Sequence, residues 1–566
     1  MPRRIVASPF FIACVAAIAL GCAIRARPVL LTDFPLNDGG LFFQMTQELQ
    51  RAHYRLPAFT SYNALQIPFA YPPFGFYVAG LISDVASVDL MQVVRLLPLA
   101  TTCATLVAFL FLARSMLPER TAVAAAVAAF ALVPRSFTWL VMGGGLTRSF
   151  GLLFTILALH QAYLLFTRRD LRYALTAGLF TALTPLSHLG TAPFLAASLV
   201  LFFLAYGRHK QGLIGAVIIG VVAIAVTAPW WATVAARHGF GPFLAAGQTG
   251  GSIFTTGPLR ATVLGRLARF GAMGTGEPLF PVLGALALLG ALASLRRRAV
   301  LLPIWWMVTL ALDVRAGETY AAIPVALLVG IAVNDVLLPL LMRRRSASAG
   351  SAGSTGRVDG RLATEPEHEP HIHRTPRYAV VAFARENLLA IGVIGFLVLY
   401  STASALTRDA DLGTEAAYLA SLSPDERDAM HWVATHTPPT SRFFVVPERG
   451  WPADREGEWF PVLARRQSVA TVQGTEWLPD TGFTRYKRLF NTARDCAGQD
   501  ARCVEQWSAK QGVEFSHVFI ARSPAGACCR KLSATLRTDS RYQVVFDGPG
   551  AEIFERRQGR ETVSAP

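Results

Sequence analysis

Apolar runs long enough to cross a bilayer recur through the first 405 residues of this chain, and nothing else in it constrains the fold as strongly. Eleven can be read, near 5–24, 92–114, 121–141, 149–166, 173–187, 190–206, 212–232, 278–295, 299–312, 319–341 and 387–405. In hydrocarbon each run has to bond its own backbone, so each is expected to be a helix. With 52% hydrophobic and 16% charged residues and a mean hydropathy of +0.39, the chain is too apolar for a soluble globule. A polytopic α-helical membrane protein with about eleven transmembrane helices follows. The formal charge of +16 does not mark a nucleic-acid binder, because the basic residues cluster between apolar runs, as in loops beside anionic lipid.

Those basic clusters also orient the chain. With the N-terminus in the cytoplasm, "ARSMLPER", "TRRDLRY", "GRHKQG", "SLRRRA" and "MRRRS" all fall on the cytoplasmic side. The exceptions are Arg25 and Arg27, just beyond the first run. "MPRR" resembles the basic start of a signal peptide, but "CAIRARP" offers no small-x-small cleavage site, so a retained helix is favoured. Counting "FAYPPFGFYVAGLISDVA" (69–86) as a span would put every later basic loop outside. It is therefore read as an interfacial or re-entrant helix started by Pro72 and Pro73, inside a first external loop of 26–91. The external face then gathers Asp33 and Asp38, "MGGGLTRS" (142–149), His188, a loop of about 233–276 and "DVRAGETY" (313–320).

After the membrane module (1–341) comes a Ser/Gly/Arg-rich, then His-containing stretch, 342–386, read as a disordered cytoplasmic linker. Its His368, His371 and His373 lack the carboxylate or Cys framework of a metal site and read as solvated residues. The last span, 387–405, leads to an extracytoplasmic domain, 406–566. There "SPDERDAMHW" has the pattern of a helix capped by Ser423 and Glu426, and "SRFFVVP", "HVFIA" and "YQVVF" read as buried strands, so a small α/β domain is expected. Four of the seven cysteines lie there, in keeping with an oxidising compartment. Cys496–Cys503 is the expected disulfide, and Cys528 and Cys529 are left unassigned.

Several short motifs resemble those of the GT-C membrane glycosyltransferases, which take sugars from polyprenyl-phosphate or polyprenyl-diphosphate donors. "NDGGLFFQMTQEL" is similar to the acidic first-loop motif of oligosaccharyltransferase catalytic subunits, and "YPPFGFY", with Tyr71, to the start of the interfacial helix in protein mannosyltransferases. "DVRAGETYAAIP" resembles a late Arg-containing segment near the donor phosphate. The resemblance implies a GT-C-like fold and an inverting transferase of the cell inner membrane. It makes Asp38 the catalytic carboxylate, with Asp33 beside it. Arg148, Arg315 and Arg95 would hold donor phosphate, and His188, Gly144 and Tyr71 would also bind substrate. The second external loop, "GGGLT" with Arg148, lacks the acids that supply a metal site in oligosaccharyltransferases, so no cofactor is expected and a divalent metal is not favoured. The expected partners are the bilayer, a lipid-linked sugar donor and an acceptor of unassigned class (glycan, lipid or protein).

The chemistry asks for a base at the acceptor hydroxyl, cations at the leaving phosphate and a groove for the lipid tail. The glycines at 143–145 could bring backbone N–H groups to phosphate. In the external domain, Trp459, Arg465, Arg466, Gln473, Glu476 and Trp477 suggest either a sugar-binding face or a loop covering the membrane site. Two other classes stay open: a transporter or flippase of a lipid-linked or polar substrate, and a non-catalytic scaffold.

Overall fold

The computed structural model describes residues 9–249, 275, 277, 281–312, 317–343, 376–410, 419–479, 482–522 and 528–557, with only the backbone described at 135, 317–318, 376–387 and 407–410. A helix occupies each of the eleven apolar runs. In chain order α1 is Pro9–Leu30, α2 Gly40–Arg51, α3 Phe74–Ala86, α4 Leu90–Met116, α5 Arg120–Leu132, α6 Gly145–Arg168, α7 Arg172–Ser187, α8 Ala192–Tyr206, α9 Lys210–His238 and α10 Gly241–Gly247. Then follow α11 Val282–Arg296, α12 Leu301–Leu312, α13 Gly317–Ala332 and α14 Pro376–Ala410. Among the described residues, seven helices are long and apolar enough to cross a membrane by length and composition alone. The stretch from 344 to 375, which covers most of the expected linker and its three histidines, lies outside the described residues.

At the centre of the bundle is α5, where all residues from Ala122 to Leu132 are buried. Its alanines let neighbours approach closely: Gly21 of α1 packs on Ala131, and Gly330 of α13 on Ala122. The apolar run 121–141 does not continue as helix, because Val133 is extended before Pro134 and the chain turns. Residues 133–144 thus become a loop that delivers Gly143–Gly145 to the start of α6. The first helix also runs further than expected, to Leu30, and so contains Arg25. That side chain is buried, donates to the carbonyls of Gly21 and Ala131 and to the Ser136 hydroxyl, and lies over the Phe137 ring at 4.6 Å. Its exception to the charge rule is structural: it caps the C-terminal end of α5, where the helix dipole is negative.

Helix α3 has 13 residues, about 20 Å at 1.5 Å per residue, as short as α5. It packs against α2, α4, α6 and α7.

The C-terminal domain, expected from the sequence to be the external one, is α/β. Its five-stranded sheet has the order β4-β3-β5-β7-β6, with β1 (Phe59–Thr60) and β2 (Ile67–Pro68) forming a separate antiparallel pair in the first external loop. Strands β3 (Arg442–Val445), β4 (Gln467–Ser468) and β5 (His517–Ala521) are parallel, while β6 (Tyr542–Asp547) and β7 (Ala551–Arg556) add antiparallel pairs. Five helices flank it: α15 Pro424–His436, α16 Arg455–Leu463, α17 Gly482–Arg494, α18 Ala501–Gln511 and α19 Arg530–Thr538. The capping box at Ser423 and Glu426 forms in both directions, at 3.2 and 2.7 Å. Cys496 and Cys503 are bonded, and Cys528 is bonded to its neighbour Cys529.

Candidate active site

Asp38 sits on a short non-helical segment between α1 and α2. The segment is fixed from two sides. From the membrane module, Gly143 N–H donates to Leu36 O at 3.0 Å. From the external domain, Trp459 Nε1–H donates to Asn37 O at 3.0 Å, and Asn37 Nδ2 donates to Pro452 O at 2.9 Å. Asn37 N–H also donates to Ala420 O at 2.8 Å. Asn37 and Gly39 both have positive φ (52° and 119°), the sharp path that turns the Asp38 carboxylate away from its own helix.

The carboxylate does not cap α2, whose N-cap is Gly39 without any side-chain bond. It goes instead to a helix more than a hundred residues away. Asp38 Oδ1 accepts the Gly144 N–H at 2.7 Å, at the start of α6, and Oδ2 forms an ion pair with the Arg148 guanidinium one turn on. The positive end of the α6 dipole and the guanidinium therefore act on the same anion. Arg148 also donates to Trp139 O at 3.0 Å and lies 5.6 Å from that ring's centroid. Asp38 and Arg148 keep 17% and 19% of their side-chain surface, enough for a ligand atom to reach them. Glycine at 143 is demanded by proximity, since a Cβ there would lie 3.0 Å from the Asp38 carbonyl carbon and closer to its oxygen. The three glycine N–H groups bond to Leu36 O, Asp38 Oδ1 and Met142 O. They hold the loop and the carboxylate, rather than standing open for phosphate.

A second acid reaches this place from the external domain. Glu458 of α16 is buried, and its Oε1 accepts the Gly39 N–H at 2.8 Å. Its backbone carbonyl accepts the Tyr62 hydroxyl at 2.6 Å. Burial first, and the nearby Asp38 charge second, push the Glu458 carboxyl well above its ordinary range, against the opposing effects of the Gly39 N–H and Arg148. Asp454, one turn before it, is also raised well above its ordinary range, by burial and then by Glu456. Among the described residues, no group of three or more His, Cys, Asp and Glu side chains is arranged to hold a metal ion.

Other expected residues fall around this centre. Asp33 is paired with Arg427 of the external domain at 2.6 Å, which with burial opposing holds it below the ordinary carboxylate range. Arg95 donates to Thr32 O near Asp33. Tyr71 packs on Phe42 and Trp477, at 5.1 and 4.8 Å between ring centroids. His188 follows α7, with Nδ1 at 2.7 Å from the Thr191 hydroxyl, which in turn lies 2.9 Å from Tyr320 OH. Gly151, one turn beyond Arg148 on α6, packs on the His188 Cβ. Arg315 lies outside the described residues, as does most of the 233–276 loop; Tyr320 is the described side chain of the "DVRAGETY" segment that touches this network.

No protein-family model matches the sequence, and no curated protein does either. Solved structures do. The chain superposes on the oligosaccharyltransferase AglB of Archaeoglobus fulgidus, in complex with an inhibitory peptide and a dolichol-phosphate, with a TM-score of 0.53 at 14% identity, over 90% of this chain and 69% of that one. For ArnT of Cupriavidus metallidurans bound to undecaprenyl phosphate the TM-score is 0.50 at 15% identity, over 96% and 98% of the two chains. For the mycobacterial arabinofuranosyltransferase AftD it is 0.53 at 15% identity, over 96% of this chain and 40% of that one. The fold is that of the GT-C membrane glycosyltransferases. At these identities the likeness is one of architecture.

Trp459 and Trp477, read either as part of a sugar-binding face or as part of a loop covering the membrane site, are 0% and 3% exposed. Trp459 packs edge-on against Phe34 at 4.6 Å and bonds the Asp38 loop, so this stretch is a cover over the membrane module. Glu458, Asp454 and Tyr62 were missed. A carboxylate at 458 flanked by Trp459 and Phe460 in an otherwise apolar helix end was the signal that a buried acid needed a partner.

Proposed function

We propose that this chain is a membrane glycosyltransferase that moves a sugar from a polyprenyl-phosphate or polyprenyl-diphosphate donor to an acceptor on the extracytoplasmic side, with inversion at the anomeric carbon. The observation that carries this reading is the Asp38–Arg148 pair at the N-terminus of α6. Asp38 is the base for the acceptor hydroxyl, and Arg148 meets the donor phosphate. The two roles are linked. A phosphate that draws Arg148 onto itself frees the Asp38 carboxylate oxygen that the guanidinium holds, so that it can accept the hydroxyl proton as the donor seats.

Two further features support a lipid-borne donor. An apolar groove of about 230 Å³, lined by Phe74, Tyr77, Leu186, Val226 and Trp230, runs between α3, α7 and α9. Phe74 stacks edge-on against Phe150 and Phe154 of α6, both at 5.2 Å, so a tail in this groove would lead toward the helix that carries Arg148. ArnT was solved with undecaprenyl phosphate and AglB with a dolichol-phosphate, and by analogy we assign this chain a donor of that kind. The disulfides of the external domain suit an oxidising compartment, in keeping with the inner membrane of a bacterial cell and an extracytoplasmic C-terminal domain.

The decisive experiment is sugar transfer from a polyprenyl-phosphate donor pool by the purified full chain. Wild type is compared with Asp38→Asn, each with and without EDTA. Activity lost in the variant and kept in EDTA supports a metal-free centre with Asp38 as base. Loss in EDTA as well turns Asp38 into a metal ligand. Unchanged transfer by Asp38→Asn overturns its assignment, and absence of transfer by wild type favours a flippase or scaffold.

A further inference from the structure

A cleft of about 1140 Å³ lies between the first external loop and the external domain. Neither Asp38 nor Arg148 lines it. Phe34 and Tyr62 form part of its wall, and behind them Trp459 and the Glu458 carbonyl close off the Asp38 loop. The cleft is therefore a compartment separate from the reacting centre, though it shares a wall with it.

Its volume exceeds the range of about 300–1,000 Å³ that suits a single small molecule. Its lining is rich in planar amides and guanidiniums. On the loop side, Gln44 Nε2 donates to Glu48 Oε1 at 2.9 Å and to Ser61 Oγ at 3.1 Å, which fixes the amide and leaves its carbonyl oxygen to accept. On the domain side, Gln467 Oε1 accepts from Arg442 Nε at 3.0 Å, which leaves its NH2 to donate. The cleft is thus lined by a fixed acceptor and a fixed donor, a combination that suits hydroxyl groups, since each can both give and take a hydrogen bond.

The charges point the same way. Arg427 is paired with Asp33, and Arg466 is turned onto the backbone carbonyls of Ala434, Thr437 and Arg465. Asp89 and Asp428 also line the cleft, together with Arg51, Arg442 and Arg465, so charges of both signs line it. A lipid tail would find polar walls. The walls are also held at a set distance: Asn63 Nδ2 donates to Ser468 O at 2.9 Å, and Ser468 N–H donates to Asn63 Oδ1 at 2.7 Å. Such a site is formed before its ligand arrives, which lowers the cost of binding.

We propose that this cleft binds a neutral oligosaccharide, holding a glycan chain beside the Asp38 centre rather than in it. The proposal concerns binding and does not depend on transfer at Asp38. The test uses the full chain in detergent and a length series of neutral hexose and pentose oligomers, with acidic oligomers and peptides alongside. Affinity is expected to rise with oligomer length. It should fall about tenfold or more in Gln44→Leu/Gln467→Leu, from two lost hydrogen bonds, and stay unchanged in Asp38→Asn. Gln92→Trp, which fills the cleft from α4, serves as a second variant should the double one fold poorly. The idea is overturned if wild type retains no neutral oligomer, retains only acidic oligomers or peptides, or binds equally well in a correctly folded variant. Failure of the transferase reading would show instead as unchanged transfer by Asp38→Asn, with oligomer binding intact.

Discussion

The Gly39 N–H donates to the Glu458 carboxylate at 2.8 Å across 419 residues of chain. This bond joins the loop of Asp38 to the external domain, so the geometry of the proposed base is set by a part of the protein that never enters the membrane module. The bonds from Trp459 and to Pro452 and Ala420 act at the adjoining residue, Asn37. A polar contact fixed on a rigid element from each side is what holds a reacting group in place.

Glu458→Ala should therefore do more harm than its distance from any sugar would suggest. It leaves the Gly39 N–H buried without an acceptor, at a cost of about 1–3 kcal/mol. Glu458→Gln keeps an acceptor oxygen and most of the volume. Thermal unfolding should show a clear loss in the Ala variant and a small change in the Gln variant, and transfer activity should follow the same order. Equal behaviour of the two would mean that the carboxylate only fills space.

The buried acids give the stability a direction in pH. Glu458 and Asp454 are raised well above their ordinary values of 4.5 and 3.8 in the folded chain. The folded state thus holds protons that the unfolded chain would release. Their contribution is fully present below the ordinary values and is lost as pH rises through the raised ones. The groups facing Glu458 are Asp38, Arg148 and Glu476; those facing Asp454 are Glu456 and Arg455. Unfolding measured from pH 5 upward should show falling stability, flatter in Glu458→Gln (the pH limits follow from the usual carboxylate range of about 4). Asp33 acts oppositely: lowered by Arg427, it supports the fold above 3.8 and loses that support as pH falls.

Arg148 separates charge from shape. Arg148→Lys keeps a cation but not the planar fork that can serve a carboxylate and a phosphate together. Transfer should fall by about 10²-fold or more in Arg148→Ala and by less in Arg148→Lys, as for removal of a donor at a developing charge. If phosphate binding is its role, KM for the lipid donor should rise in the Lys variant while the acceptor KM stays put. A change confined to the acceptor KM would move Arg148 to the other substrate.

Much of this architecture could be read from residues alone. The helices at the eleven apolar runs, the capped α15, the Cys496–Cys503 bond and three strands of the C-terminal domain follow local patterns: apolar length, a capping box, a short cysteine spacing, short apolar runs. Asp38 was singled out by its motif and Arg148 by the loop it occupies, but that the two form an ion pair was not read. What stayed hidden depends on contacts distant in sequence. That Asp38 caps α6 rather than α2 follows from two positive-φ residues and a close approach of Gly143, none of which a local rule contains. The same is true of Trp459 and Trp477. Aromatic residues among charges suit a sugar-binding face or a covering loop alike, and only the packed chain, which buries them, decides for the cover.

Arg25 makes a final prediction, because it broke the charge pattern and the structure gives it a purpose. Its guanidinium is buried among the Gly21 and Ala131 carbonyls and the Ser136 hydroxyl, where α5 ends. Arg25→Leu would remove the charge and leave the Ala131 carbonyl and Ser136 without their donor, for a cost of about 2–3 kcal/mol. Lysine would keep the charge but reach fewer of the three acceptors, and should rank between. Because Ser136 lies in the loop that delivers Gly143 and Gly144 to Asp38, the loss should reach the centre as well. Melting in detergent should fall in the order wild type, Lys, Leu, and transfer should fall in the same order with donor KM little changed in the molecules that remain folded. A normal melting temperature in Arg25→Leu would show that the end of α5 is satisfied without it.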